Sequence, residues 1–458
     1  MVKIVFCIWH LQGEFNGSLK LAKNLKSLGH QVCYLGIPDS ENNSVIHGFT
    51  FIPILEKWFP KGFLRQIEIN HIKFTGIRLL IEQLKYLKYF KTFIHSFFKG
   101  ENQEIYTILK EVNPDLLIIS TCAPLYSSLL GLIAHQCKIP SIYLTDMFIF
   151  LPPPNTIKQE KTDIYLSQDF NFQEVNFTIK YHIKDFIEKI KKQITYFMGI
   201  DLNVKNIIRK LAINTKLPLE LLDFSQSLPF QLPHLFLCPE DLDLPNSSRE
   251  RCYYAEASID LQRKEVPFSW YKLDRDKSLI YCTLGTTAGT IQALGIEKIK
   301  YFFQAVIDAM SLTKEYQLVL SVGTYISVEN FYFVPANVII VNNAPQLELI
   351  KRASLAIIAG GIHTVKECIF YEVPMIIFPV WADQPANAER VEYHGLGVVA
   401  DIKNVSAKLI NDLVETVAND LLLKQRLEAW GNKFREIEGS GKAMKYITKI
   451  LEDAKLLN

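Results

Sequence analysis

The chain runs to 458 residues, and single cores stop growing near about 250–300 residues, so two domains are expected. A hydrophobic fraction of 49 % with 21 % charged residues excludes a disordered or fibrous chain. Lys plus Arg number 50 against 48 Asp plus Glu, and the net charge of +2 lacks the basic excess of a dedicated nucleic-acid binder, so no nucleic-acid partner is expected.

In chain order the pattern is strand then helix. Lys3–Ile8 is an apolar run ending in a polar turn, and Ser18–Leu28 has helical spacing stopped by Gly29. Gln31–Gly36 and Phe49–Ile54 read as strands, Asp115–Ser120 as a buried strand, Tyr126–Cys137 as a helix and Ser141–Thr145 as a strand. Two long helical stretches, 63–110 and 175–225, interrupt the alternation as insertions of the kind that shape a substrate side. Residues 226–275 carry several prolines and read as irregular, with the interdomain connection near their end. The alternation restarts with Ser278–Leu284 (strand), Ile296–Met310 (helix), Gln317–Val322 and Val338–Val341 (strands) and Leu347–Lys351 (short helix). It continues with Leu355–Ile358 (strand), Thr364–Tyr371 (helix), Met375–Pro379 (strand) and a helical tail from Ser406 to Lys455. Alternation of this kind implies two α/β domains, each a doubly wound, Rossmann-like parallel sheet, with ligands at the carboxyl ends of the strands and both crevices opening on one interdomain cleft. The division expected is 1–255, a linker 256–275, 276–440, and a last helix 441–458 crossing back to the first domain.

Cys7, Cys33 and Cys282 sit inside strand-like runs and no CxxC pair occurs, so the eight cysteines are expected as reduced core thiols of a cytoplasmic protein. The opening Met1–Phe6 leads into a strand rather than a signal peptide, and no apolar run approaches the roughly 18 residues of a membrane span. The stretch Arg78–Lys99 carries five basic residues and four phenylalanines. It reads either as a helix on the first domain with its lysines in solvent or as a peripheral membrane contact.

The chemistry concentrates in Ala344–Gly397. A strand meets Gly360-Gly361 and turns into a helix, which offers close backbone approach and free N–H groups to a phosphate, with the Thr364 hydroxyl beside them. Glu367, one turn later, is placed to accept ribose hydroxyls, and Asp383-Gln384 supplies a carboxylate and an amide suited to vicinal sugar hydroxyls. No His/Asp/Cys cluster has metal-ligand spacing, and no metal or cofactor is expected.

These residues resemble the nucleotide-sugar signature of the UDP-glycosyltransferase family, whose fold is the two-Rossmann GT-B architecture. Bacterial members resembling zeaxanthin glucosyltransferase are the most similar in kind. KIVF…GSLKLAKNLKSLGHQVCYLG resembles the family's first strand and helix, PDLLIIS its acceptor-domain strand, and FSWYKLDRDKSLIYCTLGTTAG its entry into the donor domain. The resemblance implies an inverting, metal-independent hexosyltransferase that moves a sugar from a UDP-sugar to a hydroxyl of a small, rather apolar acceptor. It further implies Gly285 and Thr286 near the phosphates, Pro345 and Gln346 at the uracil, Gly360, Gly361 and Thr364 at the diphosphate, Glu367 at the ribose, and Asp383 and Gln384 at the sugar.

Three positions depart from the family pattern. Ala359 stands where a diphosphate-contacting His is usual, and His363 stands near the place of an Asn, where it could restore that contact. The family's catalytic His aligns with Glu14; Glu14 as base, His10 as base and the absence of a base all stand open. The acid that orients that His aligns with Ser120. The rival to an active enzyme is a catalytically impaired relative that binds a nucleotide sugar without turnover.

Overall fold

The computed structural model describes residues 1–100, 103–148, 203–224, 228–245, 249–285 and 287–456. In the first half, β1 (Lys3–Cys7), α1 (Gln12–Ser27), β2 (Gln31–Gly36), α2 (Glu41–Val45) and β3 (Thr50–Pro53) lead into the helices α3 (Phe63–Lys73), α4 (Gly76–Phe98) and α5 (Glu104–Val112). Then come β4 (Leu116–Ser120), α6 (Pro124–Gln136), β5 (Ser141–Thr145), α7 (Val204–Asn214), β6 (His234–Phe236) and β7 (Cys252–Tyr254). The second half runs β8 (Ser278–Thr283), α8 (Thr287–Leu294), α9 (Ile296–Ala309), β9 (Tyr316–Ser321), β10 (Val338–Val341), α10 (Gln346–Ile350), β11 (Leu355–Ile358) and α11 (Ile362–Phe370). It closes with β12 (Met375–Ile377), α12 (Gln384–Tyr393), β13 (Gly397–Val399), α13 (Ala407–Asn419), α14 (Leu421–Glu438) and α15 (Lys442–Leu456).

Both sheets are parallel. Their orders, β3-β2-β1-β4-β5-β6-β7 and β10-β9-β8-β11-β12-β13, share one logic. Each chain half walks outward from its first strand, then returns to that strand's other side, so the order reverses between β1 and β4 and again between β8 and β11. The pairs Ile4↔Leu116 and Leu355↔Ile280 fix the register at these two switch points. Crevices outside the carboxyl ends of such strands are where open α/β sheets take ligands. The near-continuous apolar strands LLIIS and LAII are fully buried, as sheets covered by helices on both faces require.

Two readings of the sequence change, and of the two given for Arg78–Lys99 the helix packed on the first domain is the one seen. Residues 226–275 are not irregular throughout, for they contain β6 and β7, each only three residues long and too short to carry a period-two signal. Helix α1 begins at Gln12 rather than Ser18, so Glu14 lies in its first turn instead of a loop. The aromatic face of α4 turns inward: Phe93 packs on Trp58 and Phe59, and Phe90 on Phe59, leaving Lys85 and Lys88 in solvent. Of the stretch 175–225, residues 175–202 lie outside the described residues. All eight cysteines are free thiols. Among the described residues no helix is long and apolar enough to cross a membrane.

The halves are fastened in several places. Helix α15 lays Ala443, Ile447 and Leu451 into the core beneath α1 and β1, and Tyr446 stacks on Tyr253. The Glu438 carboxylate, at the end of α14, accepts the amides of Ser258 and Ile259 at 3.1 and 2.9 Å and pairs with Lys20 on α1. Asp243, between β6 and β7, accepts from Arg390 on α12 (Nε at 3.0 Å), from Arg249 and from the Tyr254 hydroxyl at 2.6 Å. At the far edge Tyr325 donates to Glu68 on α3 at 2.9 Å.

Candidate active site

The donor side is built around the start of α11. β11 delivers the chain to Gly360, whose φ of +88° is left-handed; a Cβ there would meet Ile377 Cγ2 at 2.7 Å. Only glycine makes this turn without strain. A Cβ on Gly361 would meet nothing within 4 Å, so the backbone is open to a ligand at the helix start. The second and third helical amides, His363 and Thr364, have no intrahelical acceptor, the situation that makes helix starts anion sites.

The polar side chains at this turn are held in three small hydrogen-bonded groups. Asp383 Oδ2 accepts the Ile362 amide at 3.3 Å and Asn387 Nδ2 at 2.6 Å, while Asn387 also donates to the Gly360 carbonyl at 2.9 Å. Gln384 Oε1 accepts the amides of Val380 and Trp381 at 2.9 and 3.1 Å, which fixes the turn at Ala382, a non-glycine residue with φ of 55°. Glu367 accepts Gln346 Nε2 at 2.8 Å and pairs with Arg263; Gln346 also reaches the Thr364 hydroxyl at 3.3 Å. Pro345 starts α10, and Glu265 caps that helix by accepting the amides of Leu347 and Glu348 at 2.8 and 3.1 Å. Gly360 joins Asp383 through Asn387, Thr364 and Glu367 meet at Gln346, and Gln384 holds the neighbouring turn. Gly285, with φ of +72°, ends β8 on the strand beside β11 and takes no part in these groups. Thr286 lies outside the described residues.

The facing wall belongs to the first domain. Glu14 is 5 % exposed and its Oε2 accepts the Ser120 hydroxyl at 2.9 Å. Asp146, just past β5, is 4 % exposed, and its Oδ2 lies 2.9 Å from His363 Nε2. The remaining oxygens, Glu14 Oε1 and Asp146 Oδ1, are buried with no amide, hydroxyl or ammonium partner. The two carboxyl groups lie close enough to shift each other's titration. Burial, then the Asp146 charge, pushes the Glu14 carboxyl well above its usual range. Burial also acts on Asp146, but the His363 hydrogen bond and charge and the Lys366 ammonium outweigh it and bring its carboxyl below the usual range. Their environments thus push the two carboxyls in opposite directions, Glu14 upward and Asp146 downward. The Cys122 thiol, nearby, is pushed up by burial and by the Glu14 and Asp146 carboxyls. Burial likewise raises Asp383, with the Asp146 charge adding to it.

His363 is the bridge. It rises from α11 in the second domain and lies against α1 in the first, where a Cβ on Gly17 would meet its Cε1 at 2.6 Å. It is not an exposed loop residue. His10 does not join this group; its Nε2 is 3.9 Å from Glu68, toward α3. Asp146, Gly17 and Arg263 escape a reading of the sequence. A carboxylate directly after a strand, at the carboxyl end of the sheet, is the signal that points to Asp146. Among the described residues no group of three or more His, Cys, Asp or Glu is set to hold a metal ion.

Comparison with known proteins accords with this geometry. Residues 329–429 match the family model for UDP-glucoronosyl and UDP-glucosyl transferase. The uncharacterized UDP-glucosyltransferase YojK of Bacillus subtilis is 26 % identical over 221 residues, 46 % of this chain and 52 % of that protein. The NDP-glycosyltransferase YjiC of Bacillus licheniformis is 31 % identical over 198 residues, covering 43 % and 47 %. The zeaxanthin glucosyltransferase of Pantoea ananas is 26 % identical over 185 residues, covering 40 % and 41 %. The matches span about half or less of these relatives' lengths. Solved structures match over nearly the whole chain. The glycotransferase of kitacinnamycin has a TM-score of 0.68 at 19 % identity, covering 98 % of both chains. The calicheamicin glycosyltransferase CalG4 has 0.64 at 17 %, covering 99 % of this chain and 98 % of that one. The chain shares the GT-B fold of these glycosyltransferases, and its similarity to the UDP-glucoronosyl and UDP-glucosyl transferase model lies across the turn at Gly360 and the Asp383-Gln384 pair.

Proposed function

We propose that this protein transfers a hexose from a UDP-sugar to a hydroxyl group of a small, rather apolar acceptor, with inversion at the anomeric carbon. The observation that carries the reading is that α11 and the turns beside it bring the Gly360 turn, Glu367 and Asp383-Gln384 together, each seated by its own hydrogen bonds, with His363 of the same helix reaching Asp146 beside Glu14. The diphosphate is met by the α11 start, where the His363 and Thr364 amides and the Thr364 hydroxyl converge. Glu367 takes the ribose hydroxyls once Arg263 yields one of its oxygens. Asp383 and Gln384, rigidly seated, present their remaining polar atoms to the sugar ring. The attacking hydroxyl needs a proton acceptor, and the carboxyl–carboxylate–imidazole array of Glu14, Asp146 and His363 is the titratable group that faces the cradle.

Calorimetry with UDP, followed by mass spectrometry of UDP-glucose incubated with a panel of apolar alcohols, tests this. The expected results are UDP binding, a product heavier by one hexose, and a β linkage by proton coupling. Failure to bind UDP overturns the reading. One observation favours a second one: Glu367 is already engaged by Arg263 and Gln346, as a relative that binds without turnover could tolerate. UDP binding with no hydrolysis and no transfer would select that relative.

A further inference from the structure

We infer that the proton acceptor of the transfer is His363, delivered from the donor-binding domain into a notch in the first helix of the opposite domain and oriented there by Asp146. The inference rests on the glycosyltransferase reading above.

The first observation is the notch. Gly13 and Gly17 stand one turn apart on α1, and their missing side chains leave a groove that the imidazole fills. A Cβ on Gly17 would come within 2.6 Å of His363 Cε1, and one on Gly13 within 3.7 Å of Cδ2. The second is the orientation. Asp146 Oδ2 lies 2.9 Å from Nε2; a carboxylate there takes the Nε2 hydrogen of the neutral ring, which leaves the lone pair on Nδ1. The third is the free face. The described residues give Nδ1 no hydrogen bond, and about a fifth of the side chain is exposed at the start of α11 (20 %). The fourth is elimination. Glu14 is buried, accepts the Ser120 hydroxyl at 2.9 Å and lies beside Asp146, which places it behind that residue as its support. His10 points to Glu68.

In the step itself the acceptor oxygen bonds to the anomeric carbon. The bond from that carbon to the diphosphate oxygen breaks, and its electron pair leaves on UDP. The hydroxyl proton passes to His363 Nδ1, the imidazolium is held by the Asp146 carboxylate, and the proton returns to water after UDP departs. Asp146 and Glu14 are positioning residues.

The full chain is assayed by UDP release from UDP-glucose, with water and with geraniol as acceptor, beside UDP calorimetry. His363→Ala is expected to lose about 10²–10⁴-fold in turnover, the worth of a general base, with UDP affinity within about threefold. Added imidazole should restore it at least about tenfold. Asp146→Asn should lose turnover in the same range, whereas Glu14→Gln, whose amide mimics the protonated carboxyl, should lose less than about tenfold. Gly17→Ala provides a second probe that favours α1 as a helix yet expels the ring, and it should mirror His363→Ala without lowering the melting temperature. The inference is overturned, with the functional reading intact, if His363→Ala keeps more than about a tenth of turnover, or loses turnover only in step with UDP affinity, or gains nothing from imidazole. Larger loss in Glu14→Gln than in His363→Ala also overturns it. Wild-type protein that binds UDP but releases none from UDP-glucose overturns it too. Wild-type protein that binds no UDP removes the functional reading and this inference together.

Discussion

The two walls of the cleft solve the problem of buried polar groups in opposite ways. On the donor wall the carboxylates and the amide of the Gly360 region are engaged by near neighbours: Asp383 by Asn387 and an amide, Gln384 by two amides, Glu367 by Arg263 and Gln346. On the acceptor wall two buried carboxyl groups lie together, and one oxygen of each has no hydrogen-bond partner among the described residues. The donor wall is rigid because its hydrogen bonds are local and fixed by turns. The acceptor wall responds to pH because its two carboxyls shift each other's titration, and low local dielectric makes such a pair sensitive to a change of charge.

The comparison breaks most completely where the two walls are clamped together. Asp243→Ala leaves Arg249 and Arg390 buried without their counter-ion and should cost about 3–5 kcal/mol, read by urea unfolding of the whole chain. The pH dependence follows from the same site. Burial raises Asp243, but the guanidinium groups of Arg390 and Arg249 prevail and hold its folded-state carboxyl below the usual range. Its contribution is thus present above the unfolded carboxylate pKa and is lost as pH falls through the folded one, so acid should melt wild type toward the variant. On the donor wall, Gly360→Ala forces a methyl against Ile377 in a left-handed backbone and should weaken UDP at least about 30-fold, with strain of about 1–3 kcal/mol, checked by calorimetry and thermal melting. Glu367→Ala should weaken UDP about tenfold, the worth of a charge-assisted hydrogen bond to ribose; unchanged affinity would remove Glu367 from the nucleoside site. The smallest effect sharpens the contrast. Glu14 has a raised folded-state pKa, so its acid form is favoured in the native protein, and stability is drawn down as pH rises from the unfolded pKa toward the folded one. Glu14→Gln should therefore raise the melting temperature by a few degrees at pH 8 and leave it unchanged at pH 4.

The donor wall was legible in the linear sequence because its parts lie within one stretch, Ala344–Gly397, where a glycine turn, an acid one helical turn on and an acid–amide pair follow in order. The alternation of strands and helices likewise carried both sheets, except β6 and β7, whose three residues cannot show a period. The acceptor wall was legible only at Glu14 and Ser120. Asp146 and His363 are 217 residues apart, and nothing local in either segment signals the other. Gly17 reads as a weak point in a helix until the ring that fills its place is known. Arg263 reads as part of a linker, although it seats itself on the carboxylate assigned to the ribose.

The last described helix has a consequence for how the molecule comes off the ribosome. Ile4 and Phe6 near the start share their core with Ala443, Ile447 and Leu451. A nascent first half cannot cover that apolar face until more than four hundred further residues have been made. Synthesis and folding are then out of step for this half alone. A front half expressed by itself would display the uncovered face and collect into aggregates, and supplying α15 as a separate peptide is the natural way to keep it in solution.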